Sequence, residues 1–434
     1  NIRWQLPLKD WSNASPIRVG DYIFVCEEPN TLVCVDANEH KVVWRRSVGY
    51  IDGLPEKEQP AARKELALFD ELQETLDAGL LEYREAVHRA RRDKVSDKEI
   101  RWIAEKTPEL NEINKRLALA VRYRLPQTND IIGYTSSTPV SDGSFVYTLF
   151  ANGVVASFDM KGNRQWARWM GDPLIRSTGE VMHGYAYGHA ASPLLVGDHL
   201  IVPYAHLYGL DAASGEIRWT GEKYREFGTP AHLRVDGIDL VVSPVGTILR
   251  VDNGEVLAKG LEEIWYIGPV AYGNRVFMVG AGPEKYEGKG TPGSNAVGYE
   301  LSFDGQGTLK VEELWRLEIH DDRYYSTPLY YEGQLYAATR KGVLVVIDAV
   351  EGKLLYETKL SAKGSTIYSS PAVGDGKVFL NGETGNTFVL QHGPTYRLVR
   401  KNWLMPTRSN PYFYKDEILM RTEDSLYCIG TPPS

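Results

Sequence analysis

Short apolar stretches separated by turn residues recur along the chain, with the alternation of apolar and polar positions that marks half-buried β-strands. The clearest copy begins at Ser192-Pro193, because a proline at the start of a strand removes no ladder hydrogen bond. A turn at Gly197-Asp198 leads into a second strand, and a third strand ends at Asp211. The fourth strand ends in Trp219, whose ring is large enough to pack between neighbouring units. Four such antiparallel strands predict one blade of a β-propeller.

The same pattern recurs at the spacing of about 40 to 50 residues that is typical of propeller blades. Besides Pro193, the anchor prolines are Pro16, Pro139, Pro230, Pro269, Pro328, Pro371 and Pro411. Aromatic residues that follow in these copies are Trp44, Trp166, Trp315, Tyr356 and Trp403. Eight anchors predict eight blades.

The two ends of the chain complete each other. The last copy stops at Gly430 without a fourth strand, whereas Ile2 to Leu6 has the pattern of a fourth strand without its first three. Pairing of these segments would close the ring and leave no open sheet edge. We therefore expect an all-β protein in which residues 1–434 form a single eight-bladed propeller of four-stranded antiparallel blades, closed by its N- and C-terminal strands.

The run Leu210 to Trp219, Leu-Asp-Ala-Ala-Ser-Gly-Glu-Ile-Arg-Trp, resembles the tryptophan-docking repeat of the pyrroloquinoline quinone (PQQ) dehydrogenase-like propellers. This family includes quinoprotein alcohol dehydrogenases and also BamB, the non-enzymatic propeller lipoprotein of the bacterial outer-membrane assembly machinery. The resemblance therefore implies the fold and leaves the function open. The quinoproteins are similar to one another in an adjacent Cys-Cys pair over PQQ and in residues that hold calcium. Neither feature is evident here, so PQQ and calcium are disfavoured.

One long insertion separates the first two blades. Residues 58–124 carry apolar side chains three and four positions apart, which predicts amphipathic helices. A second helix is expected to start at Ser96-Asp97, and Pro108 is expected to interrupt and restart it. The resulting hairpin could fold back on the propeller rim and bury its own apolar stripe, or act as a docking arm or a lid over a site. Arg89, Arg91, Arg92 and Lys94 suit the C-terminal end of the first helix.

Charge and composition exclude several classes of protein. The net charge of -8 argues against a general nucleic-acid binder, and no apolar run is long enough for a membrane span. Cys26, Cys34 and Cys428 are too few and too separated for a disulfide framework or a zinc motif, so buried free thiols are expected. The chain starts at Asn1 without a methionine or an apolar signal core, so we expect that either a targeting segment was removed or the N-terminus was trimmed. We expect the mature protein to be periplasmic or secreted.

Candidate binding residues precede the anchor prolines, because these segments surround the mouth of the central channel of a propeller. The segments also contain Asn13, Glu226, Phe227, Asp322 and Tyr325. The candidates for ligand binding are Trp11, Tyr134, His183, Tyr185, Tyr187, His189, Arg225, Trp265, Tyr266, His320, Asp321, Arg323, Tyr324, Tyr368 and Arg408. Aromatic faces with charged groups suit a polar, ring-containing ligand such as a sugar, although such residues also simply fill and hydrate propeller mouths.

Catalysis and metal binding are open alternatives at the same mouth. His189, Glu226, His320 and Asp322 are candidates for acid–base chemistry of a carbohydrate lyase or hydrolase. Imidazole and carboxylate groups also suit divalent ions, but no recognised ligand spacing occurs, so we expect no metal site. The leading hypothesis is a monomeric, non-catalytic extracytoplasmic propeller that binds a carbohydrate-like ligand or a protein partner at the mouth. A PQQ-dependent dehydrogenase and a scaffold without any small-molecule site are the remaining hypotheses.

Overall fold

The strands of the protein form eight sheets of four antiparallel strands each. The computed structural model describes residues 1–92, 96–119, 128, 131–171, 189–224, 227–282, 293–361 and 364–430. Within these residues, every sheet has four consecutive strands, except the last, which takes its outer strand from the N-terminus. The predicted eight-bladed propeller is confirmed.

Each blade starts one residue after an anchor proline, with its innermost strand. Blades 1 to 4 consist of β2 (Ile17–Val19), β3 (Tyr22–Glu27), β4 (Thr31–Asp36), β5 (Lys41–Ser47); β6 (Val140–Ser141), β7 (Phe145–Leu149), β8 (Val154–Asp159), β9 (Arg164–Trp169); β10 (Leu194–Val196), β11 (His199–Tyr204), β12 (His206–Asp211), β13 (Ile217–Lys223); β14 (Ala231–Val235), β15 (Ile238–Val242), β16 (Thr247–Arg250), β17 (Val256–Lys259). Blades 5 to 8 consist of β18 (Val270–Tyr272), β19 (Arg275–Gly280), β20 (Ser294–Phe303), β21 (Leu309–Ile319); β22 (Leu329–Tyr331), β23 (Gln334–Ala338), β24 (Val343–Asp348), β25 (Lys353–Lys359); β26 (Ala372–Gly374), β27 (Lys377–Asn381), β28 (Asn386–Gln391), β29 (Leu398–Trp403); β30 (Tyr412–Tyr414), β31 (Glu417–Arg421), β32 (Ser425–Gly430) and β1 (Ile2–Pro7).

The ring is closed as the sequence predicts, because β1 pairs antiparallel with β32. Leu6 lies opposite Leu426, and the ladder continues to Ile2 opposite Ile429. Arg3 adds ion pairs to Asp416 at 2.5 Å and Glu417 at 2.9 Å. The outermost strand of blade 8 is therefore supplied by the opposite end of the chain.

Tryptophans on outer strands lock neighbouring blades together. The indole Nε1 of Trp44 donates to the Met160 carbonyl at 3.0 Å, and that of Trp166 donates to the Ala212 carbonyl at 3.0 Å. Trp315 makes the equivalent bond to the Ala349 carbonyl at 3.1 Å. Each ring lies against a glycine in the turn of the next blade, where a side chain would collide with it. The packing of the repeat's tryptophan between blades is thus as expected.

Blade 7 departs from this pattern. Strand pairing places Arg400, opposite Val389, at the position that Trp44 occupies opposite Cys34 in blade 1. Trp403, grouped with the repeat from the sequence alone, lies three residues further on and is 57% exposed. The spacing of residues along the sequence does not show whether Trp403 matches the interblade tryptophans, because the pairing register across the sheet decides which residue takes that position.

The insertion forms a helical hairpin between blades 1 and 2. Helix α1 spans Gln59–Arg92 and α2 spans Asp97–Leu119. Their apolar stripes bury one another through Phe69, Leu72, Leu76, Leu110 and Ile113. At the base of the hairpin, Ala62 and Leu66 pack against the propeller side chains Ile51, Leu54 and Trp169.

The start of α2 is as predicted, but the interruption at Pro108 is not. The Ser96 hydroxyl and the Glu99 carboxylate form a reciprocal cap, which fixes the first turn of α2. Pro108 lies inside the continuous helix. A proline removes one backbone hydrogen bond and strains the preceding turn, and here the helix continues because Leu110 and Ile113, just beyond it, are held by the α1 stripe.

All three cysteines are buried free thiols, and burial raises the pKa of each to about 12. Neither described helix is long and apolar enough to span a membrane.

Candidate functional site

A ring of hydrogen bonds surrounds the neck of the central channel. It is formed by the residues immediately before the anchor prolines, which we call the neck ring. In six of the eight steps, the backbone N–H of one neck-ring residue donates to the side-chain oxygen of the next. The bonds are Ser15 to Thr138 (3.1 Å), Thr138 to Ser192 (2.9 Å), Ser192 to Thr229 (2.9 Å), Gly268 to Thr327 (3.0 Å), Ser370 to Asn410 (2.7 Å) and Asn410 to Ser15 (2.9 Å).

Gly268 is the neck-ring member without a side chain, and a close backbone approach explains it. A Cβ at Gly268 would lie 2.1 Å from the Thr229 carbonyl oxygen, and one at Gly228 would lie 2.2 Å from the Ile267 carbonyl oxygen. Glycine at these positions lets blades 4 and 5 meet more tightly than any larger residue allows. The neck ring was not predicted as a functional unit, although the hydroxyl or amide before seven of the eight prolines is visible in the sequence.

A cavity of about 360 Å³ lies at this mouth and receives residues from all eight blades. The residue three positions before the anchor proline lines it in every blade. These residues are Asn13, Ser136, Ala190, Phe227, Tyr266, Tyr325, Tyr368 and Arg408. Arg323, Ile131 and Ile132 also line it. We call this space the mouth cavity.

Side chains alternate in direction along the approach to an innermost strand. Residues one and three positions before the proline face the channel. Those two and four positions before it point into the packing between blades. In blade 6, for example, Thr327 and Tyr325 line the cavity, whereas Ser326 and Tyr324 are buried.

Four consecutive blades contribute aromatic rings to the mouth cavity, and we call Phe227, Tyr266, Tyr325 and Tyr368 the aromatic arc. Ring centroids are 5.2 Å apart for Phe227 and Tyr266, and 5.0 Å apart for Tyr266 and Tyr325, which meet edge to face. Tyr325 and Tyr368 are parallel, with centroids 5.4 Å apart. Tyr266 has a left-handed φ of 68°, which is strained for a bulky residue and is typical of functional sites.

Two arginines flank the aromatic arc. The Arg408 guanidinium lies 5.6 Å from the centre of the Tyr368 ring and 3.4 Å from the Glu383 carboxylate. The Arg323 Nη1 lies 3.5 Å from the Tyr325 hydroxyl. Burial raises the pKa of the Tyr368 hydroxyl, reinforced by Glu383 and opposed by Arg408, so this hydroxyl stays protonated at neutral pH. The cavity therefore offers ring faces, phenol donors and cationic groups side by side.

The structure brings only some of the predicted residues together. Tyr266, Arg323, Tyr368 and Arg408 line the mouth cavity. Phe227, Tyr325 and Asn13 join them, although they were not among the predicted binding residues. Their common offset of three residues from the anchor proline is the sequence signal that identifies them.

Other candidates lie away from the mouth cavity. Trp11 and Tyr134 line a separate cleft, where the Glu28 carboxylate accepts the Tyr134 backbone N–H at 2.9 Å. Trp265 stacks on Tyr266 from outside the cavity lining, with centroids 5.6 Å apart.

Two further candidates are buried between blades, because side chains alternate in direction along these segments. His189 is 3% exposed and shares a hydrogen bond with the Ala191 carbonyl at 3.0 Å, and burial lowers its pKa to about 4. Tyr324 is 1% exposed and donates to the His320 carbonyl at 2.9 Å. Both stand four positions before their anchor prolines and are buried away from the mouth cavity.

The remaining described candidates form ion pairs outside the cavity lining. His320 lies 2.8 Å from Glu357, and Asp322 lies 3.2 Å from Arg340. Asp321 lies between them in the chain and is likewise not part of the lining. No group of three or more potential metal ligands occurs within the described residues. His183, Tyr185, Tyr187, Arg225 and Glu226 lie outside the described residues.

Comparison with known proteins agrees with this architecture. A family model described as "Outer membrane protein assembly factor BamB" matches residues 310–391, from β21 of blade 5 to β28 of blade 7. No curated protein matches the chain.

Solved structures are similar over nearly the whole chain. BamB from Moraxella catarrhalis is 11% identical, with a TM-score of 0.58 over 99% of both chains. A europium-containing methanol dehydrogenase is 10% identical, with a TM-score of 0.52 over 99% of this chain and 93% of that one. The C-terminal WD40 domain of Sif2 is 10% identical, with a TM-score of 0.52 over all of both chains. At these identities the likeness shows the fold.

Eight four-stranded blades with interblade tryptophans and a lined mouth define an eight-bladed repeat propeller. The chain is thus similar to the BamB family model over residues 310–391, and it shares the propeller fold of BamB and of the methanol dehydrogenase over nearly its whole length.

Proposed function

We propose that the protein is a non-catalytic, extracytoplasmic propeller that binds a carbohydrate-like ligand, free or carried by a partner, at the mouth cavity. The aromatic arc carries the proposal. Its four rings come from consecutive blades and border open space of about 360 Å³. The matching family model describes an outer membrane assembly factor, and from it we take the extracytoplasmic location and the binding role.

The chemistry of the cavity favours a ring that carries an acidic group. Parallel and edge-on tyrosines suit the apolar face of a sugar ring, and their hydroxyls suit its polar rim. Arg323 and Arg408 suit a carboxylate, which a guanidinium can bind through two parallel hydrogen bonds. An acidic sugar such as a uronic acid meets both requirements.

Binding is favoured over catalysis by the types of side chain around the cavity. A lyase or hydrolase needs an acid and a base within reach of the substrate. The described lining contains no carboxylate and no imidazole, and the described catalytic candidates His189, His320 and Asp322 lie elsewhere.

The same lining does not fit PQQ with calcium. Calcium prefers carboxylate and carbonyl oxygens, and the family's dehydrogenases have an adjacent pair of cysteines. Cys26, Cys34 and Cys428 are buried in strands of blades 1 and 8, away from the lining. We expect no dye-linked alcohol oxidation when PQQ and calcium are added to the purified protein.

A saccharide panel containing oligogalacturonides and their methyl esters tests the proposal, because esterification removes the carboxylate charge and keeps the ring. We expect the acids to bind more tightly than the esters. Arg323→Gln should abolish that preference, whereas Arg234→Gln, an arginine on β14 with a side chain that is 65% exposed, should leave it intact.

Two outcomes would count against the mouth cavity. One is the absence of binding by every member of the panel. The other is binding that is lost when residues 58–124 are replaced by a short linker and is unaffected by Arg323→Gln, since this would assign recognition to the hairpin.

A further inference from the structure

The outer strands of the propeller share one local geometry. Each has a shift of register, as at a β-bulge, and the residue after the shift occupies the position of the interblade tryptophan. That residue is aromatic in six blades, Ala258 in blade 4 and Arg400 in blade 7. Aromatic locking is therefore missing from the outer edge of blade 7.

Closure of the ring explains why blade 7 differs. The turn that receives each tryptophan joins the third and fourth strands of the next blade, as Gly254 does for Trp219. In blade 8 the third strand ends at Gly430 and the fourth begins at Ile2, at opposite ends of the chain. Within the described residues, no turn joins these two strands to receive a ring from β29.

The outer edge of blade 7 is the most apolar of the eight. Leu398, Val399 and Trp403 are 40%, 46% and 57% exposed on β29, and Met405 just beyond it is 45% exposed. Every other outer strand exposes at most one large apolar side chain. The outer side of β29 has no paired strand within the described residues, so its backbone groups are open to a partner.

The same edge is basic in an acidic protein. Tyr396 to Met405 contains Arg397, Arg400 and Lys401 and no aspartate or glutamate, although the chain has a net charge of -8. Arg397 and Arg400 are exposed, and no described carboxylate lies within ion-pair distance of either guanidinium. Lys401 lies 5.1 Å from the centre of the Trp403 ring. Apolar and cationic side chains thus lie together beside an open strand edge.

We propose that this edge, Tyr396 to Met405, is a second binding surface, which takes an extended segment of a partner protein rich in acidic and apolar residues. An open strand edge supplies backbone hydrogen bonds, the exposed apolar side chains supply contact surface, and Arg397 and Arg400 select against basic segments. The surface is separate from the mouth cavity and does not depend on its ligand.

Selection from a phage-displayed random dodecapeptide library on the full chain tests this surface. Enriched peptides should be acidic and apolar, and their binding, measured by fluorescence anisotropy, should weaken at least tenfold in Arg397→Glu/Arg400→Glu and in Trp403→Ser. Val43→Ser, which removes the exposed apolar residue of β5, is the matched control and should bind like the wild type. All three variants change exposed side chains, so their unfolding midpoints should stay close to that of the wild type.

Four results would overturn the proposal. Two concern the enriched peptides, which would either lack acidic residues or bind the variants as tightly as the wild type. The third is loss of sedimentation with anionic lipid vesicles in the edge variants while peptide binding persists, which would assign the edge to a membrane surface. Concentration-dependent self-association that disappears in Arg397→Glu/Arg400→Glu would assign it to a second copy of the chain.

Discussion

The Trp219 side chain of blade 3 donates its indole N–H to the Val251 carbonyl of blade 4 at 2.8 Å, with its ring against Gly254. Gly254 has a φ of 72°, and a Cβ there would lie 2.7 Å from the ring. The glycine thus supplies both the turn conformation and the space for the indole. This pairing is the clearest case of the contact that repeats around the propeller.

Truncation of Trp219 should destabilise the protein strongly. Trp219→Ala removes a large side chain that is 7% exposed and leaves a cavity between blades, which costs about 3–5 kcal/mol of unfolding free energy. Trp403→Ala is the matched control, and should cost less than about 1 kcal/mol because that ring is largely exposed. Equilibrium denaturant unfolding measures both, and equal losses would show that Trp219 is not an interblade lock.

A pair of glycine substitutions separates the contact with the ring from the strain of the turn. Gly254 and Gly237 both have left-handed φ angles, of 72° and 84°, but a Cβ at Gly237 meets no atom within 4 Å. Backbone strain should lower the free energy of unfolding of both alanine variants by about 1–2 kcal/mol. Gly254→Ala should lose a further 1–3 kcal/mol, roughly, through overpacking against Trp219. Indistinguishable unfolding midpoints would refute the steric role of this turn.

The hydrogen bonds of the neck ring predict that Thr138→Val and Thr138→Ser differ in stability. Thr138→Val keeps the shape of the side chain but removes the acceptor of the Ser15 backbone N–H. We expect Thr138→Val to lower the free energy of unfolding by about 1 kcal/mol. This is near the lower end of the cost of an unsatisfied hydrogen-bonding group, because water in the channel can bind the Ser15 N–H. Thr138→Ser keeps the acceptor and should retain the stability of the wild type. The neck-ring bond would be unimportant if the two variants unfolded at the same denaturant concentration.

His189 predicts an acid-sensitive contribution to stability. Its pKa is lowered by burial to about 4 from 6.5, so between these values the unfolded chain binds a proton that the folded protein does not. The unfolding free energy should therefore fall as the pH is lowered from 6.5 to 4, by about 3 kcal/mol in total, and this effect should level off below pH 4.

His189→Gln should flatten this pH dependence. His232→Gln, which changes a partly exposed histidine paired with Asp239, is the control and should keep the slope of the wild type. Unfolding curves recorded at several pH values test both. A slope that survives in His189→Gln would exclude His189 as its source.

Much of the fold was predictable because its determinants are local. Each anchor proline stands directly before an innermost strand, and the apolar end segments contain enough information to predict the pairing of β1 with β32. Trp403 and Pro108 were misjudged because cross-strand register and packing between helices are not local properties.

Less of the mouth was predictable. The relevant segments were correctly located, but in an extended chain a shift of one residue reverses the direction of a side chain. Tyr324 and Tyr325 are adjacent tyrosines with opposite environments, since one is buried between blades and the other faces the cavity. Composition alone does not distinguish them, whereas counting back from the anchor proline does.

Isothermal titration of the tightest-binding saccharide of the panel into the wild type and into Tyr325→Ala/Tyr368→Ala tests the central claim most directly. Tyr272→Ala is the control, since Tyr272 is an exposed tyrosine at the far end of β18 that also stacks on a neighbour. We predict saturable binding to the wild type and to Tyr272→Ala, and affinity at least tenfold weaker in the double variant, a change of about 1.4 kcal/mol or more. Unchanged affinity in a folded double variant would contradict the claim that the aromatic arc is a binding site.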